Sequence, residues 1–234
     1  MKRVLLFLAL FTGVLGFAFQ SAQAAPVRWS DEVFTHVQSE YGIAASNRLR
    51  RIYDTLMANA DKPLRQKLEV VNDTMNKLPW VTDRDKWNAE DYWATPMETI
   101  VKYGGDCEDM AIGKFVGLRL MGVPKENLYL GYVKVKATGE AHMVLVWVND
   151  AQTETLVLDN LVPEIKSGKE RTDLVAVYLF DADGDLVLID DNGEDRSIKA
   201  EISGRKMQKL ETIKARIEEN REKYRVYNEG RPLF

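Results

Sequence analysis

The only cysteine of this 234-residue chain, Cys107, lies in the run GGDCED at residues 104–109. Two glycines there give way to a segment with apolar residues at helical spacing, so the thiol is predicted to lie at a helix N-terminus. Unsatisfied backbone N–H groups and the helix dipole favour the thiolate at such a position, and the thiolate is the nucleophilic form of cysteine. The neighbouring carboxylates oppose ionisation, so the site would need a cation. The alternative is that Cys107 is a small buried hydrophobe, a common role of free cysteine.

Two histidines are available as a base for this thiol. His36 falls inside the first predicted helix, which suggests a packing or solvent-facing role. His142 begins a predicted strand that is apolar on both faces and is therefore expected to be central in a sheet. A lone histidine in a buried strand is more often a core residue, but the shortage of histidines favours His142 as the catalytic base.

Asp159 follows the apolar run at 156–158 and is the natural partner of His142. If residues 149–152 form a hairpin with a two-residue loop, the two side chains lie directly opposite each other on adjacent strands. A register shifted by two residues makes them diagonal neighbours. In such an arrangement His142 takes the proton of Cys107 and later protonates the leaving group, while Asp159 orients the imidazole. The alternative for Asp159 is a solvated strand end.

The elements that would position these residues form an α+β pattern. Helices are predicted at about 30–41, 47–57, 63–78, 95–104 and 107–122, and strands at 128–137, 142–149, 155–161, 175–180 and 186–189. Short turns between the strands favour an antiparallel sheet, and Cys107 would lie on the helix face that packs against it. The acidic run at 181–185 lacks the EF-hand spacing and is predicted to be a hairpin turn. A thin apolar stripe after Ser203 predicts a charged C-terminal helix, either lightly packed on the surface or used as a docking element.

The composition of the N-terminus predicts export. Residues 1–24 carry two basic residues, an apolar run and the sequence Ala22-Gln23-Ala24, the pattern of a secretory signal peptide. The mature protein, 25–234, is then expected in the periplasm as a single domain. Its parts would be a mostly helical region at 25–104, a catalytic helix and sheet at 105–200, and a charged C-terminal helix at 201–234. The net charge of −4 gives no basic patch for nucleic acid, and the mature chain has no apolar stretch for membrane insertion.

Three sequence blocks together resemble the bacterial transglutaminase-like cysteine proteinases. These blocks are Gly105-Asp106-Cys107-Glu108-Asp109-Met110-Ala111, His142-Met143-Val144 and Leu158-Asp159-Asn160. The resemblance covers roughly residues 29–189, including Trp93-Ala94-Thr95-Pro96. It implies a papain/transglutaminase-like fold with N-terminal helices, and an endopeptidase whose catalytic residues are Cys107, His142 and Asp159.

The resemblance also implies a substrate and a regulator. The substrate would be a giant surface adhesin, cut near its N-terminal retention module at a site with a small-residue pair, which would release the adhesin and promote biofilm dispersal. The regulator would be an inner-membrane receptor for cyclic di-GMP that sequesters the protease through its periplasmic domain.

Calcium is a further trait that the resemblance implies, with Asp106 and Glu108 as ligands and Asp109 as a neighbouring one. Carboxylate oxygens suit Ca²⁺, and a divalent ion would offset the acidic repulsion of the thiolate. The alternative is helix capping, with Asp106 at the N-cap and Asp109 at the third helical position. Because residues two apart in a helix point about 200° from each other, one ion shared by Asp106 and Glu108 requires an irregular helix start or ligands from another segment.

Other functions remain compatible with the same residues. A transglutaminase or acyltransferase would use the same thiol and base, and a cell-wall hydrolase would suit the same compartment. A non-catalytic calcium-binding interaction module is the alternative from a different class. A zinc site formed by Cys107, His142 and Asp159 is disfavoured because it lacks a local pair of ligands.

Overall fold

The helices of the chain gather in its N-terminal half, with one more at the C-terminus. The computed structural model describes residues 25–184, 186–187 and 196–224. Its helices are α1 (Asp31–Tyr41), α2 (Ile43–Ala58), α3 (Leu64–Asn76), α4 (Asp83–Trp87), α5 (Pro96–Val101), α6 (Cys107–Leu120) and α7 (Arg196–Lys223), and a 3₁₀ turn spans Lys125–Asn127. The signal predicted at residues 1–24, and the ends of the last predicted strand and of the C-terminal helix, lie outside the described residues.

Local sequence signals explain several helix boundaries. Gly42 separates α1 from α2 with a φ of 83°, a conformation that glycine adopts without strain. The Thr95 side chain accepts a hydrogen bond from the Glu98 N–H, and Glu98 accepts one from the Thr95 N–H, so the capping box predicted for α5 is formed. The short α4 was not predicted, since five residues carry no helical periodicity.

The strands form one antiparallel sheet. They are β1 (Leu128–Val135), β2 (Ala141–Val148), β3 (Thr155–Leu158), β4 (Lys166–Ser167), β5 (Leu174–Phe180) and β6 (Leu186–Val187), in the order β4-β3-β2-β1-β5-β6. β2 is an interior strand, as its two apolar faces predicted. Phe180 pairs with Leu186 in a β5–β6 hairpin, and the Gly184 N–H donates to the Asp181 carbonyl, which confirms a hairpin turn in the acidic run.

The β2–β3 register differs from the simplest prediction by two residues. Val148 pairs with Thr155 and Leu145 with Leu158, so the loop is longer than two residues. The Asn149 side chain explains the wider loop, because its Oδ1 accepts hydrogen bonds from the N–H groups of Thr153 and Glu154. His142 and Asp159 are therefore diagonal neighbours instead of directly opposite residues.

Helix α6 lies at the centre of the fold. Its Ala111, Phe115 and Leu118 share the main core with Met143 and Leu145 of β2. The opposite face of the sheet has its own apolar cluster, formed by Val133, Val144, Val146, Val148, Val157 and Leu179. Almost every α6 residue is buried, which is more than the single apolar face that the sequence predicted.

The C-terminal helix packs more deeply than its thin apolar stripe predicted. Leu210 and Ile213 of α7 are fully buried, and with Ile217 they belong to the main core. Polar contacts add to this attachment: Arg216 donates to the Trp93 carbonyl, and Asn220 donates to Thr95. α7 is thus part of the structure that holds the segment preceding α5. No described helix is long and apolar enough to cross a bilayer.

Candidate active site

A tight turn presents Cys107 at the first residue of α6. Gly104 has a φ of 120°, and a Cβ at this position would lie 2.4 Å from the Pro79 carbonyl oxygen. A Cβ on Gly105 would lie 2.2 Å from a carboxylate oxygen of Asp109. Only glycine fits both positions, so the two glycines allow the chain to pass between the 79–81 segment and α6. The thiol is at a helix N-terminus, as the sequence predicted.

The Cys107 thiol is held in its protonated form by its surroundings. Its Sγ donates a hydrogen bond to Oε2 of Glu108 at 2.9 Å. Burial raises the pKa of this thiol well above its usual value, and the charges of Glu108 and Asp106 raise it further, whereas the Met143 backbone N–H acts in the opposite direction. The flanking carboxylates therefore oppose ionisation, as expected from the sequence.

His142 and Asp159 form a buried pair. His142 Nε2 lies 2.7 Å from Asp159 Oδ1, and the second carboxylate oxygen accepts a hydrogen bond from Arg171 Nη2 at 2.7 Å. Burial would raise the pKa of Asp159, but hydrogen bonds from His142, the Leu161 N–H and Arg171 bring it to about 2. Asp159 therefore remains a carboxylate at neutral pH and fixes the imidazole through Nε2. The other ring nitrogen, Nδ1, remains available to a neighbouring group.

The structure brings two of the three predicted catalytic residues into direct contact. Cys107 lies beside the start of β2, where the Met143 N–H next to His142 faces the sulfur. Its thiol bonds to Glu108, while His142 bonds to Asp159. The solvated strand end considered for Asp159 is wrong, because the residue is almost fully buried.

Sequence reasoning missed Arg171. Its side chain is only 2% exposed, and it contacts Asp173 as well as Asp159. In the sequence, Arg171-Thr172-Asp173 has the composition of an ordinary surface turn, and no spacing rule connects it to Asp159. The signal that could have found it is the energetic requirement that a buried carboxylate be paired.

The acidic residues around Cys107 belong to a larger group of carboxylates. Asp83 of α4 joins Asp106 and Asp109, with ligand atoms within 4.8 Å of one another, and Asp83, Asp91 and Glu108 meet the same limit. The predicted metal ligands Asp106, Glu108 and Asp109 are thus extended by two residues from another segment. Such an addition is what a site shared by Asp106 and Glu108 requires.

Three oxygens in this group are buried without a hydrogen-bond partner among the described residues: Asp83 Oδ1, Asp106 Oδ1 and Asp109 Oδ2. Their partner oxygens are oriented by backbone, since Asp83 Oδ2 accepts from the Tyr92 N–H and Asp109 Oδ1 from the Ala94 N–H. Unsatisfied buried carboxylate oxygens are costly, and a convergent set of them fits a hard cation such as Ca²⁺.

The carboxylates of this group repel one another when they are ionised. Burial first, and then the neighbouring carboxylates, raise the pKa of Asp106 to about 9. Burial also raises the pKa of Asp109, to about 8, and that of Asp83. Helix capping accounts for only part of the arrangement: the Asp106 side chain at the N-cap of α6 makes no capping hydrogen bond, whereas the Asp106 N–H lowers the pKa of Asp109.

Comparisons with known proteins bear on the family and the fold. A family model described as bacterial transglutaminase-like cysteine proteinase matches residues 44–175. Calcium-bound LapG of Legionella pneumophila is 32% identical, with a TM-score of 0.62, over 76% of this chain and 99% of that chain. EGTA-treated LapG of the same organism is 33% identical, with a TM-score of 0.63, over 78% of this chain and all of that chain.

No curated protein sequence gives a significant match. The family match covers more than half of the chain, and the matched structures share the α+β, papain-like fold that the sequence predicted. The chain therefore belongs to the bacterial transglutaminase-like cysteine proteinases and is a cysteine protease of that family.

Proposed function

We propose that this protein is a calcium-dependent endopeptidase with Cys107 as nucleophile, His142 as general base and Asp159 as the residue that orients the imidazole. The observation that carries the proposal is the buried His142–Asp159 pair, with Nε2 and Oδ1 2.7 Å apart, beside a cysteine at a helix N-terminus. Because Nε2 is engaged by Asp159, Nδ1 is the nitrogen that would exchange a proton with the thiol.

The proposed reaction proceeds through a thioester. His142 Nδ1 takes the proton of Cys107, and the sulfur attacks the carbonyl carbon of the scissile bond. The Cys107 backbone N–H, which faces out from the start of α6, would stabilise the oxyanion. The imidazolium gives its proton to the leaving amine as the C–N bond breaks. His142 then removes a proton from water, which hydrolyses the thioester and regenerates the thiol.

Calcium would be held by Asp83, Asp106, Glu108 and Asp109, with Asp91 at the edge of the group. A bound divalent ion supplies positive charge that offsets the repulsion between these carboxylates and a thiolate. Glu108 would have a double role, because the same carboxylate that accepts the thiol hydrogen bond at 2.9 Å belongs to the acidic group. If the Glu108 carboxylate bound calcium instead of the thiol, the Cys107 Sγ–H would be free to donate its proton to His142. The calcium-bound and EGTA-treated LapG structures support the choice of ion.

The proposal extends to location, substrate and regulation. The signal-like composition of residues 1–24 supports export of a single domain, 25–234, to the periplasm. The family resemblance supports cleavage of the N-terminal region of a large surface adhesin, which would promote biofilm dispersal. It also supports sequestration of the protease by an inner-membrane cyclic di-GMP receptor.

The direct test is cleavage of an adhesin N-terminal fragment by the mature chain. Wild type with Ca²⁺ is expected to cut the fragment, whereas Cys107→Ala and wild type with EGTA are expected to leave it intact. Equal cleavage in all three samples would contradict both the nucleophile and the ion. New peptide termini identified by mass spectrometry distinguish hydrolysis from acyl transfer, which would incorporate an added amine.

A second test separates an enzyme from a calcium-binding interaction module. Iodoacetamide alkylation of Cys107 is expected to be faster with Ca²⁺ than with EGTA, and His142→Ala should slow the calcium-dependent reaction. Slow labelling that ignores both the ion and His142 would count against the catalytic assignment. The matched control is His36→Ala, which removes the remote histidine of α1.

A further inference from the structure

Three of the four exposed large apolar side chains in the described part of the chain belong to segments next to the candidate active site. The four are Trp80 at 59% exposure, Tyr103 at 50%, Leu161 at 56% and Ile43. Trp80 pairs with Gly105 in the turn at residues 103–106 that precedes Cys107, here called the nucleophile turn. Tyr103 begins that turn, and Leu161 follows Asp159 by two residues. Ile43 lies at the start of α2. Exposed apolar side chains that lie together can mark a surface that binds a partner, whereas single ones are normal.

Trp80 is fixed to the nucleophile turn through its neighbours. The Gly105 N–H donates to the Pro79 carbonyl, and the Val81 N–H donates to the Gly105 carbonyl, which makes Trp80 and Gly105 a parallel bridge. The glycine at 104 allows this approach, because a Cβ there would clash with the Pro79 carbonyl. Adjacent strands lie about 4.8 Å apart, so the Trp80 backbone is about that far from Gly105. Because Gly105 is two residues before Cys107, a bound peptide needs to extend by only a few residues to pass from Trp80 to the thiol.

The polar backbone groups of Trp80 itself remain open. In a parallel bridge the central residue's own N–H and C=O point away from its partner. Among the described residues, neither group of Trp80 takes part in a hydrogen bond. Residues 79–81 therefore present one unused donor and one unused acceptor in an extended segment beside the nucleophile, together with a solvated indole ring.

We propose that Trp80 binds the substrate: one residue of an extended substrate peptide exchanges backbone hydrogen bonds with Trp80, and an apolar side chain of the peptide packs on the indole. This inference rests on the proposed endopeptidase function and assigns it a specificity residue. Addition of a peptide to an exposed extended edge is a common mode of peptide recognition. An extended chain advances about 3.3 Å per residue, so the contact falls roughly two or three residues from the scissile bond.

The test compares wild type, Trp80→Ala and Trp80→Phe, each as the mature chain with Ca²⁺, on a mixed peptide library whose cut sites are identified by mass spectrometry. Trp80→Ala is expected to flatten a preference for apolar residues at one substrate position and to lower kcat/KM about 10-fold, mainly through KM, as one apolar contact is lost. Trp80→Phe should retain most of the preference. Ile43→Ala, which removes a comparably exposed apolar side chain from the start of α2 and leaves the 79–81 segment unchanged, should change neither.

Two further measurements separate binding from chemistry. Alkylation of Cys107 by iodoacetamide should be the same in wild type and Trp80→Ala, because the indole does not activate the thiol. For wild type, N-methylation of the substrate residue that pairs with Trp80 should lower cleavage about 10-fold, the loss expected when a backbone hydrogen bond is replaced by a clash.

Two outcomes would overturn the inference in distinguishable ways. If the wild type cuts peptides and Trp80→Ala shows the same cleavage-site preference, the role of Trp80 alone is overturned. A wild-type chain that cuts no peptide, and behaves as Cys107→Ala does, would overturn the endopeptidase function and the role of Trp80 with it.

Discussion

Replacing Asp83 by asparagine tests whether the acidic group is a cation site. Asp83 contributes one of the three buried oxygens without a partner, and it comes from α4 instead of the Cys107 segment. An asparagine at 83 keeps an oxygen to accept the Tyr92 N–H. It also replaces an anionic oxygen with an amide that can donate to Asp106 or Asp109. The substitution should therefore stabilise the calcium-free protein and weaken calcium binding at the same time.

The spacing of the carboxylates gives the magnitude. The ligand atoms of Asp83, Asp106 and Asp109 lie within 4.8 Å of one another, and two full charges at that distance repel by roughly 3 kcal/mol at an effective dielectric constant of about 20. Partial protonation reduces the relief available, so we expect Asp83→Asn to stabilise the calcium-free chain by about 1 kcal/mol, which corresponds to a Tm increase of about 2–4 °C for a protein of this size. Loss of one anionic ligand should weaken calcium affinity at least about 10-fold, or about 1.4 kcal/mol.

The assay is thermal unfolding of the mature chain in EGTA and across a calcium titration. Wild type should gain about 2.7 kcal/mol at a free calcium concentration of 100 times its Kd, and Asp83→Asn should need more calcium for the same gain. Asp85→Asn is the matched control, because Asp85 lies on the same short helix but is solvent-exposed. The reasoning is refuted if Asp83→Asn and Asp85→Asn give the same calcium dependence, or if Asp83→Asn lowers the Tm in EGTA.

Four further predictions concern the buried charges. Arg171→Leu should destabilise the protein by about 3–5 kcal/mol in urea unfolding, because it leaves the Asp159 carboxylate buried without its cation. The control Arg65→Leu breaks a half-exposed ion pair and one hydrogen bond to the Ile165 carbonyl and should cost about 1–2 kcal/mol; equal costs would contradict the role of burial. The pKa values of Asp106 and Asp109 are raised to about 9 and about 8, so calcium affinity should rise between pH 6 and pH 9, and calcium binding should release protons. Calorimetry in buffers of different ionisation enthalpy measures both the affinity and the number of protons released. The same raised pKa values should make the calcium-free protein less stable at pH 8 than at pH 5, since the unfolded chain releases those protons first; a flat profile would contradict this. Asp159→Asn should lower kcat/KM about 10²–10⁴-fold by disturbing the imidazole orientation, with calcium-induced stabilisation unchanged.

The parts of the fold that the sequence predicted are those that depend on local signals. The Thr95 capping box sets the start of α5, and Gly42 separates α1 from α2. The nearly continuous apolar run of β2 predicted two buried faces, and both faces are covered. These features were accessible because each depends on residues that are close together in the chain. The β2–β3 register could not be predicted in this way. The side chain of Asn149 widens the loop, and the pattern of apolar residues does not indicate this.

The missing parts of the site depend on contacts between distant segments. Asp83 and Asp91 join the acidic group only because the stretch between α4 and α5 folds back, so that the N–H groups of Tyr92 and Ala94 orient the carboxylates of Asp83 and Asp109. Arg171 reaches Asp159 from a turn twelve residues away. The sequence indicated that an ion shared by Asp106 and Glu108 needs further ligands, and that a buried Asp159 carboxylate needs a charged partner. It did not identify which residues supply them.

One turn connects the nucleophile, the acidic group and the exposed Trp80. The absence of a side chain at Gly105 makes room for the Asp109 carboxylate, and the same residue forms the bridge that fixes Trp80. A cation that draws the carboxylates of Asp106 and Glu108 away from Cys107 would therefore act next to Gly105, the residue whose bridge fixes Trp80. Under the proposed function, activation of the thiol and positioning of the peptide would both depend on this turn. The carboxylate-rich sequence around the only cysteine of the chain, unfavourable for a thiolate by itself, would then serve to bind the activating cation.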